Sequence, residues 1–455
     1  MSPEASVTEP VVINATFWTA TVVFGLSYGL IVSEKVHKTV IALFGAALVI
    51  VLGVLKQHEA FHVEELGVDW NVIFLLISMM IIINLMRPTG VFEYIAIKSA
   101  KLGKGEPFRI LAIFAVVTAV LSAFLDNVTT VLLIAPVTLL IADALNVDPL
   151  PYLISGALAS NIGGTATLVG DPPNIMIASK AHLNFMDFIV NLAPVVILLM
   201  AFYLLAIKLI WGKKLKTKEG LKERIMQMNE KEAIKDPVML QKSLFVLAVT
   251  IAGFVVHGAL RLEPATVALF GAGLLLLLSR IHNPHHILSE VEWPTIFFFI
   301  GLFIIIGGVV KVGLIELASN EVLEVTKGNL FATSMVVMWF SAFASAFVDN
   351  IPYVATMNPL IVDMAHKIWP HLSGLELLHH RELMPLWWSL ALGACLGGNG
   401  TAIGASANVI VVGMAEKAGH KVSFAKFILY GMPIMIMTVV VATIYIWLRY
   451  YVVGG

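Results

Sequence analysis

The sequence predicts an all-α polytopic membrane protein built from two inverted-topology repeats. Each repeat has five transmembrane helices and one re-entrant hairpin, and broken helices occur in both. Three observations predict this: the composition, the succession of apolar runs, and the recurrence of polar strings at a nearly fixed offset. Of 455 residues, 59% are apolar and 13% charged, whereas a soluble globular chain carries about 25% charged residues. The surplus apolar surface must face lipid, which excludes a soluble enzyme and a disordered chain. A formal net charge of -1 gives no bulk attraction to nucleic acid. Cys395 is the single cysteine, so no internal disulfide or multi-thiolate metal site is expected.

Apolar runs near 20 residues, the length needed to cross a bilayer, fall near 17–34, 39–55, 70–88, 152–179, 186–210, 243–260, 266–280, 293–310, 386–412 and 425–450. Two more apolar blocks, 108–143 and 331–366, are each split by a polar centre. Met1 to Pro10 carries Glu4 and Glu9 and no basic residue, so the first run is expected to be a retained span rather than a signal peptide. The long hydrophilic stretch Trp211 to Lys242 holds nine Lys/Arg against five Asp/Glu and reads as a charged surface helix with a linker. It divides the chain into a first repeat (11–211), a cytoplasmic linker (212–241) and a second repeat (242–455). With the linker inside, both termini lie outside, and inside segments hold 20 Lys/Arg against eight outside, as the positive-inside bias requires. A multi-pass protein of the cell's plasma (inner) membrane follows, with lipid as an obligatory partner.

The repeat is read from four matches in the same order. Leu43-Phe-Gly-Ala46 recurs as Leu269-Phe-Gly-Ala272. Trp70, Gly90 and Glu93 recur 223 residues on as Trp293, Gly313 and Glu316. Ser122-Ala-Phe-Leu-Asp-Asn-Val through Pro136 recurs at the same offset as Ser345-Ala-Phe-Val-Asp-Asn-Ile through Pro359, with seven of fifteen positions identical. Gly163-Gly164 through Asn174 recurs at offset 234 as Gly397-Gly398 through Asn408, so an 11-residue insertion is placed in Trp369 to Pro385. An odd number of spans per half inverts the second half, and inverted repeats are the sequence mark of secondary transporters.

Asp126-Asn127 and Asp349-Asn350 occupy the centres of the split blocks, with apolar residues on both sides instead of the Gly, Pro or Lys of a surface loop. Each block therefore reads as a re-entrant hairpin with its tip inside the membrane. A carboxylate at that depth is expensive and marks function. Asp also caps helices well, and the two roles are compatible, since half-helix N-termini inside a bilayer bind substrates and ions. Thr129 and Thr130 add hydroxyls to the first tip, where the second has Pro352 and Tyr353. The Gly-rich breaks free backbone groups, which is tolerated at membrane depth where they line a cavity or pack in protein. They contribute Gly164, Thr165 and Asn174 from the first half, and Asn399, Thr401, Ser406 and Asn408 from the second. With Asn127, Thr129, Thr130 and Asn350 these are the candidate substrate-binding residues. Asp126, Asp349 and Asp171 are the candidate proton- or ion-coupling residues. Asp171 stands apart because Ala405 replaces it in the second half. Cys395, beside the second break, reads as a small packed residue. No catalytic residue and no metal or organic cofactor is called for. Without a Walker-type phosphate loop, the driving force is a transmembrane proton or sodium gradient, or a separate ATPase subunit.

The strings Ala123-Phe-Leu-Asp126-Asn127-Val-Thr-Thr, Asn161-Ile-Gly-Gly-Thr-Ala-Thr-Leu-Val-Gly-Asp171-Pro-Pro-Asn174, Asp349-Asn350-Ile-Pro352 and Gly393-Ala-Cys-Leu-Gly-Gly-Asn399-Gly-Thr401-Ala-Ile-Gly-Ala-Ser406-Ala-Asn408 resemble the ArsB/NhaD/P-protein branch of the ion transporter superfamily. The likeness covers nearly the whole chain and is greatest to ArsB-type arsenite efflux permeases. It implies an elevator-type secondary transporter, in which hairpins and broken helices move against a scaffold of outer spans. The favoured expectation is arsenite or antimonite efflux in exchange for protons. The alternatives are a sodium/proton antiporter of the same fold, and a channel or the membrane subunit of an ATP-driven pump.

Overall fold

A computed structural model describes residues 11–453 except Glu34, Glu64 and His282; the acidic start, Met1 to Pro10, lies outside these. Every regular element among the described residues is helical. The first half runs α1 (Ala15–Ser33), α2 (Lys38–Val51), α3 (Gln57–His62), α4 (Trp70–Met86), α5 (Val91–Leu102), α6 (Pro107–Ser122), α7 (Asn127–Ala144), α8 (Leu150–Gly164), α9 (Pro172–Ala181), α10 (Phe185–Asn191) and α11 (Ala193–Trp211). The linker carries α12 (Glu219–Gln227). The second half runs α13 (Pro237–Leu260), α14 (Pro264–Ser279), α15 (His285–Ser289), α16 (Trp293–Lys311), α17 (Leu314–Thr326), α18 (Leu330–Phe347), α19 (Asn350–Ile368), α20 (Gly374–Leu378), α21 (Met384–Gly397), α22 (Ser406–Lys417) and α23 (Phe424–Ile446). In chain order, α13 to α19 and α21 to α23 can be set one for one beside α1 to α9 and α11. The extra helix α20 falls in the stretch where the change of offset places the insertion.

Among the described residues, eight helices are long and apolar enough to cross a membrane, and α2, α6, α14 and α21 are shorter apolar helices. Three predicted spans differ in form, of which 186–210 is α10 and α11, parted at Leu192. The run 152–179 is α8 and α9 around a non-helical break at 165–171, and 386–412 is α21 and α22 around 398–405. Helix α13 starts at Pro237, within the stretch expected to be linker. Pro at the first helical position suits a helix start, and Asp236 caps it, accepting from Met239 N at 2.8 Å. Helices α5 and α17 were not expected, because Glu93, Lys98 and Lys101, and Glu316, Glu321 and Glu324, interrupt the apolar run. Both follow a glycine with positive φ, Gly90 at 81° and Gly313 at 83°, the left-handed conformation that glycine adopts without steric cost.

Packing sorts the helices into two groups. In one, α2 packs on α16 and α1, α4 on α14, and α13 on α14. In the other, α6 packs on α8 and α18 on α21, α7 lies against α8 and α22, and α19 against α9 and α21. The second group is tightened by glycines. A Cβ on Gly163 would sit 2.1 Å from the Ala119 carbonyl oxygen, and one on Gly397 2.5 Å from that of Ala342. Small residues let helix backbones approach where apolar burial gives no advantage over lipid. In α1, α11 and α13 only 28% of the apolar window is buried, leaving broad faces for lipid. The groups meet where α16 touches α19 and where α4 touches α9.

The linker is docked under the first half. Lys222 donates to Glu106, the residue before α6, at 2.8 Å, and Lys101 of α5 donates to Glu230 at 2.6 Å. The Thr217 hydroxyl bonds the Leu145 carbonyl at 2.6 Å, and Lys235 N bonds the Thr89 carbonyl at 2.9 Å.

Candidate functional site

The two split blocks bring their Asp-Asn pairs to helix starts. Asp126 precedes α7, where its Oδ1 accepts from Thr129 N at 2.9 Å and its Oδ2 from the Thr129 hydroxyl at 2.5 Å. Asp349 precedes α19 and accepts from Ile351 N at 3.2 Å. The next residue in each case, Asn127 and Asn350, turns inward toward the same carboxylate. Asn127 Nδ2 donates to Asp171 Oδ1 at 3.2 Å, and Asn350 Nδ2 donates to it at 3.3 Å. Asp171 is fully buried at the end of the first break. It is the one site carboxylate without a counterpart in the other half, and both halves supply it with a matched donor.

The breaks are clamped in the same way. Asn174 Nδ2 donates to the carbonyls of Gly164, Thr165 and Thr167, at 3.4, 3.2 and 2.8 Å. Asn408 Nδ2 donates to those of Gly398 and Thr401, at 2.7 and 2.8 Å. Thr167 and Thr401 donate their hydroxyls to the Ala123 and Ala346 carbonyls, tying each break to its hairpin. These bonds satisfy carbonyls that the missing helical turns leave open. The halves also cross. Asn161 Nδ2 lies 3.0 Å from Asn399 Oδ1 and 3.2 Å from Asn408 Oδ1, and the thiol of Cys395, which stands at the position matching Asn161, lies 3.6 Å from Asn174 Oδ1.

A cavity of about 530 Å³ opens beside the tips. Of the residues expected from sequence, Asp126, Asn127, Asp349, Asn350 and Ser406 line it. Thr129, Gly164, Thr165, Asn174, Thr401 and Asn408 do not; their polar groups serve the cap and the two clamps. Asp171, Thr130 and Asn399 lie behind the lining, all fully buried, and the Thr130 hydroxyl and Asn399 Nδ2 have no partner among the described residues.

Three ionisable lining residues were not anticipated: His37, Lys38 and Glu292. Lys38, the first residue of α2, donates to Asp349 Oδ2 at 2.5 Å and to the Ser406 hydroxyl at 3.0 Å. Glu292 precedes α16 and accepts from the Thr295 hydroxyl at 3.3 Å. A signal for Glu292 was present, since the 223-residue offset pairs it with Asp69, another acid before a span. Lys38 had none, because a lysine in a short loop reads as an ordinary inside charge. Among the described lining residues Lys38 is the one Lys or Arg.

The fold and the buried polar centre define a polytopic transporter of small solutes. The chain belongs to the citrate transporter (CitMHS) family, which it matches over residues 28–393. It is 45% identical over 95% of its length to an uncharacterized transporter of Mycobacterium tuberculosis, 98% of which is covered. It is 33% identical over 96% of its length to the human P protein, spanning 60% of that longer chain. The fold is similar to the YdaH transporter of Alcanivorax borkumensis, with a TM-score of 0.56, 12% identity and coverage of 96% of this chain and 98% of that one. It is also similar to Neisseria gonorrhoeae MtrF, described within a class of antimetabolite efflux pumps, with a TM-score of 0.55, 10% identity and coverage of 97% and 96%. The protein is a secondary transporter of the CitMHS/ion-transporter superfamily and not an enzyme.

Proposed function

We propose that the protein exchanges protons for a small cargo without net negative charge, arsenite or antimonite as uncharged hydroxides, and exports it across the plasma membrane. The observation that carries this reading is the charge balance of the cavity. Asp126, Glu292 and Asp349 line it, and Lys38 is already bonded to Asp349. Carboxylate is in excess, and no unpaired Lys or Arg among the described lining residues is left to hold a carboxylate cargo such as citrate. Asn127, Asn350 and Ser406 supply amides and a hydroxyl for a hydroxylated cargo. Asp126 and Asp171 are the proton carriers; Asp349, expected alongside them, is held by Lys38.

The second reading, sodium/proton antiport, is favoured by Glu292 lining the same cavity as Asp126, since two carboxylates suit a hard cation.

The architecture that goes with this reading is two inverted repeats, 11–211 and the half beginning at α13, joined by a cytoplasmic linker, with both termini outside. The α6–α7 and α18–α19 pairs are re-entrant hairpins. The group α1, α2, α4, α13, α14 and α16 is the scaffold against which the other group moves. On this topology the cavity faces the cytoplasm, because it is lined by the end of α1 and the starts of α2 and α16. That orientation suits loading for export. The test is a proton-flux assay on purified protein in liposomes with an internal pH dye, adding arsenite, antimonite, sodium, lithium and citrate in turn. A response to arsenite or antimonite alone is expected. A response to sodium or lithium alone would transfer the same carboxylates to cation binding, and a response to citrate would overturn the charge argument.

A further inference from the structure

The second hairpin tip holds a cation that is part of the chain. Lys38 Nζ lies 2.5 Å from Asp349 Oδ2, 3.0 Å from the Ser406 hydroxyl and 4.9 Å from the centroid of the Phe298 ring. The Ser406 hydroxyl in turn lies 2.9 Å from Asp349 Oδ2. A carboxylate and a hydroxyl are oxygen ligands of the kind hard cations take, and an aromatic face adds attraction for a positive charge. The first tip has no such cradle. Pro172 stands where the 234-residue offset would place a match for Ser406, and both oxygens of Asp126 accept from Thr129.

We propose that the Lys38 ammonium is a tethered stand-in for a monovalent cation, and that removing it uncovers an alkali-cation site formed by Asp349 and Ser406. The two tips then differ in kind. The first is free to exchange a proton or ion with the medium. The second is neutralised by a charge anchored on α2, in the other packing group. Tyr28 of α1 supports that anchor, with its hydroxyl 2.7 Å from the Pro352 carbonyl oxygen and 2.7 Å from the Thr356 hydroxyl. Neutralising Lys38 leaves a mostly buried carboxylate without its counter-charge, a costly state that a free cation relieves. The inference rests on the transport reading only for its consequence, one exchangeable tip in place of two; the site itself rests on geometry.

The experiment is thermal unfolding of the purified full chain in detergent, in sodium, potassium or lithium chloride, with choline chloride holding ionic strength constant. Lys38→Gln should show a saturable rise in melting temperature in at least one alkali salt, roughly 2 °C or more beyond any wild-type response. Lys38→Arg should behave as wild type. The double variant Lys38→Gln/Asp349→Asn should lose the added response, as should Lys38→Gln/Ser406→Ala in part. Lys38→Met serves if Lys38→Gln does not fold. Folded, monodisperse Lys38→Gln or Lys38→Met that responds to alkali salts no more than wild type overturns the proposal, and so does an added response that survives Asp349→Asn. Melting needs no transport, so a silent liposome assay and a silent melting assay refute different statements.

Discussion

Asn350 Nδ2 lies 3.3 Å from Asp171 Oδ1, joining the second hairpin tip to the first Gly-rich break. The matching amide of the first tip, Asn127, reaches the same oxygen at 3.2 Å. A single carboxylate thus receives both members of a repeated pair, and its own repeat position is Ala405. Asp171→Ala should leave both amides short of an acceptor, at about 1–3 kcal/mol for each buried group left unpaired. Asp171→Asn preserves size but carries no proton. It should fold, with a smaller fall in melting temperature than Asp171→Ala, and lose at least about tenfold in coupled flux, roughly 1.4 kcal/mol of barrier. Full flux in Asp171→Asn, measured in liposomes, would remove Asp171 from coupling.

Asp126 separates capping from charge. Both of its oxygens accept from Thr129, so Asp126→Ala should cost about 1 kcal/mol of cap and abolish transport. Asp126→Asn can still accept from Thr129 N, so it should keep most of that stability while transport is lost just as completely. If Asp126→Asn transports like wild type, the residue is a cap and nothing more.

The polar centre was legible because polar strings stand out in apolar sequence, and because each occurs twice. Asp126-Asn127 and Asp349-Asn350 were found this way, as were the two breaks. What the sequence does not display is which polar groups the folded backbone engages. Asn174 and Asn408 look like ligands in sequence, yet each spends its side-chain amide on carbonyls that the breaks leave open, a need that only the folded backbone displays. Lys38 was invisible for a different reason. Its partner lies 311 residues away, and no local pattern distinguishes a loop lysine that turns inward from one that faces water. Helices α5 and α17 escaped because apolar length was the criterion, and their charges interrupt the run on one face only.

The Gly163 and Gly397 contacts give a stability prediction independent of transport. Gly163→Ala and Gly397→Ala each push a Cβ into the backbone of the hairpin's first helix, at Ala119 and Ala342. Backbone yields less readily than the end of a side chain, so each should cost about 1–3 kcal/mol, as overpacking does. Gly25→Ala is the control, since nothing lies within 4 Å of its added Cβ. Thermal unfolding in detergent should rank the three. Equal melting temperatures for Gly25→Ala and Gly163→Ala would mean that α6 and α8 are not packed this closely.

The docking of the linker should depend on pH with a definite sign. Lys222 bonds Glu106 and Glu219, and Lys101 bonds Glu230. The Lys222 ammonium holds the Glu106 carboxyl below its ordinary range, and Lys101 does the same for Glu230. Hydrogen bonds to Glu106 and Glu219 hold Lys222 above its own range. A depressed carboxyl contributes stability that is complete above its unfolded value, about 4.3, and is lost as pH falls through the lower folded value. A raised lysine contributes stability that is complete below its unfolded value, about 10.4, and is lost as pH rises through the higher folded value. Docking should therefore hold across neutral pH and loosen at both extremes. A spin label on Gly220→Cys reports it, because Gly220 is exposed on α12 while the native Cys395 is fully buried. The label should be restrained at pH 7 and gain mobility below pH 4. It should also gain mobility in 1 M salt at pH 7, where screening acts over about 3 Å. Glu106→Gln should loosen it at pH 7 in low salt. Unchanged mobility at pH 3, or in Glu106→Gln, would mean that the linker is held by its backbone bonds, Lys235 to Thr89 among them, and not by these charges.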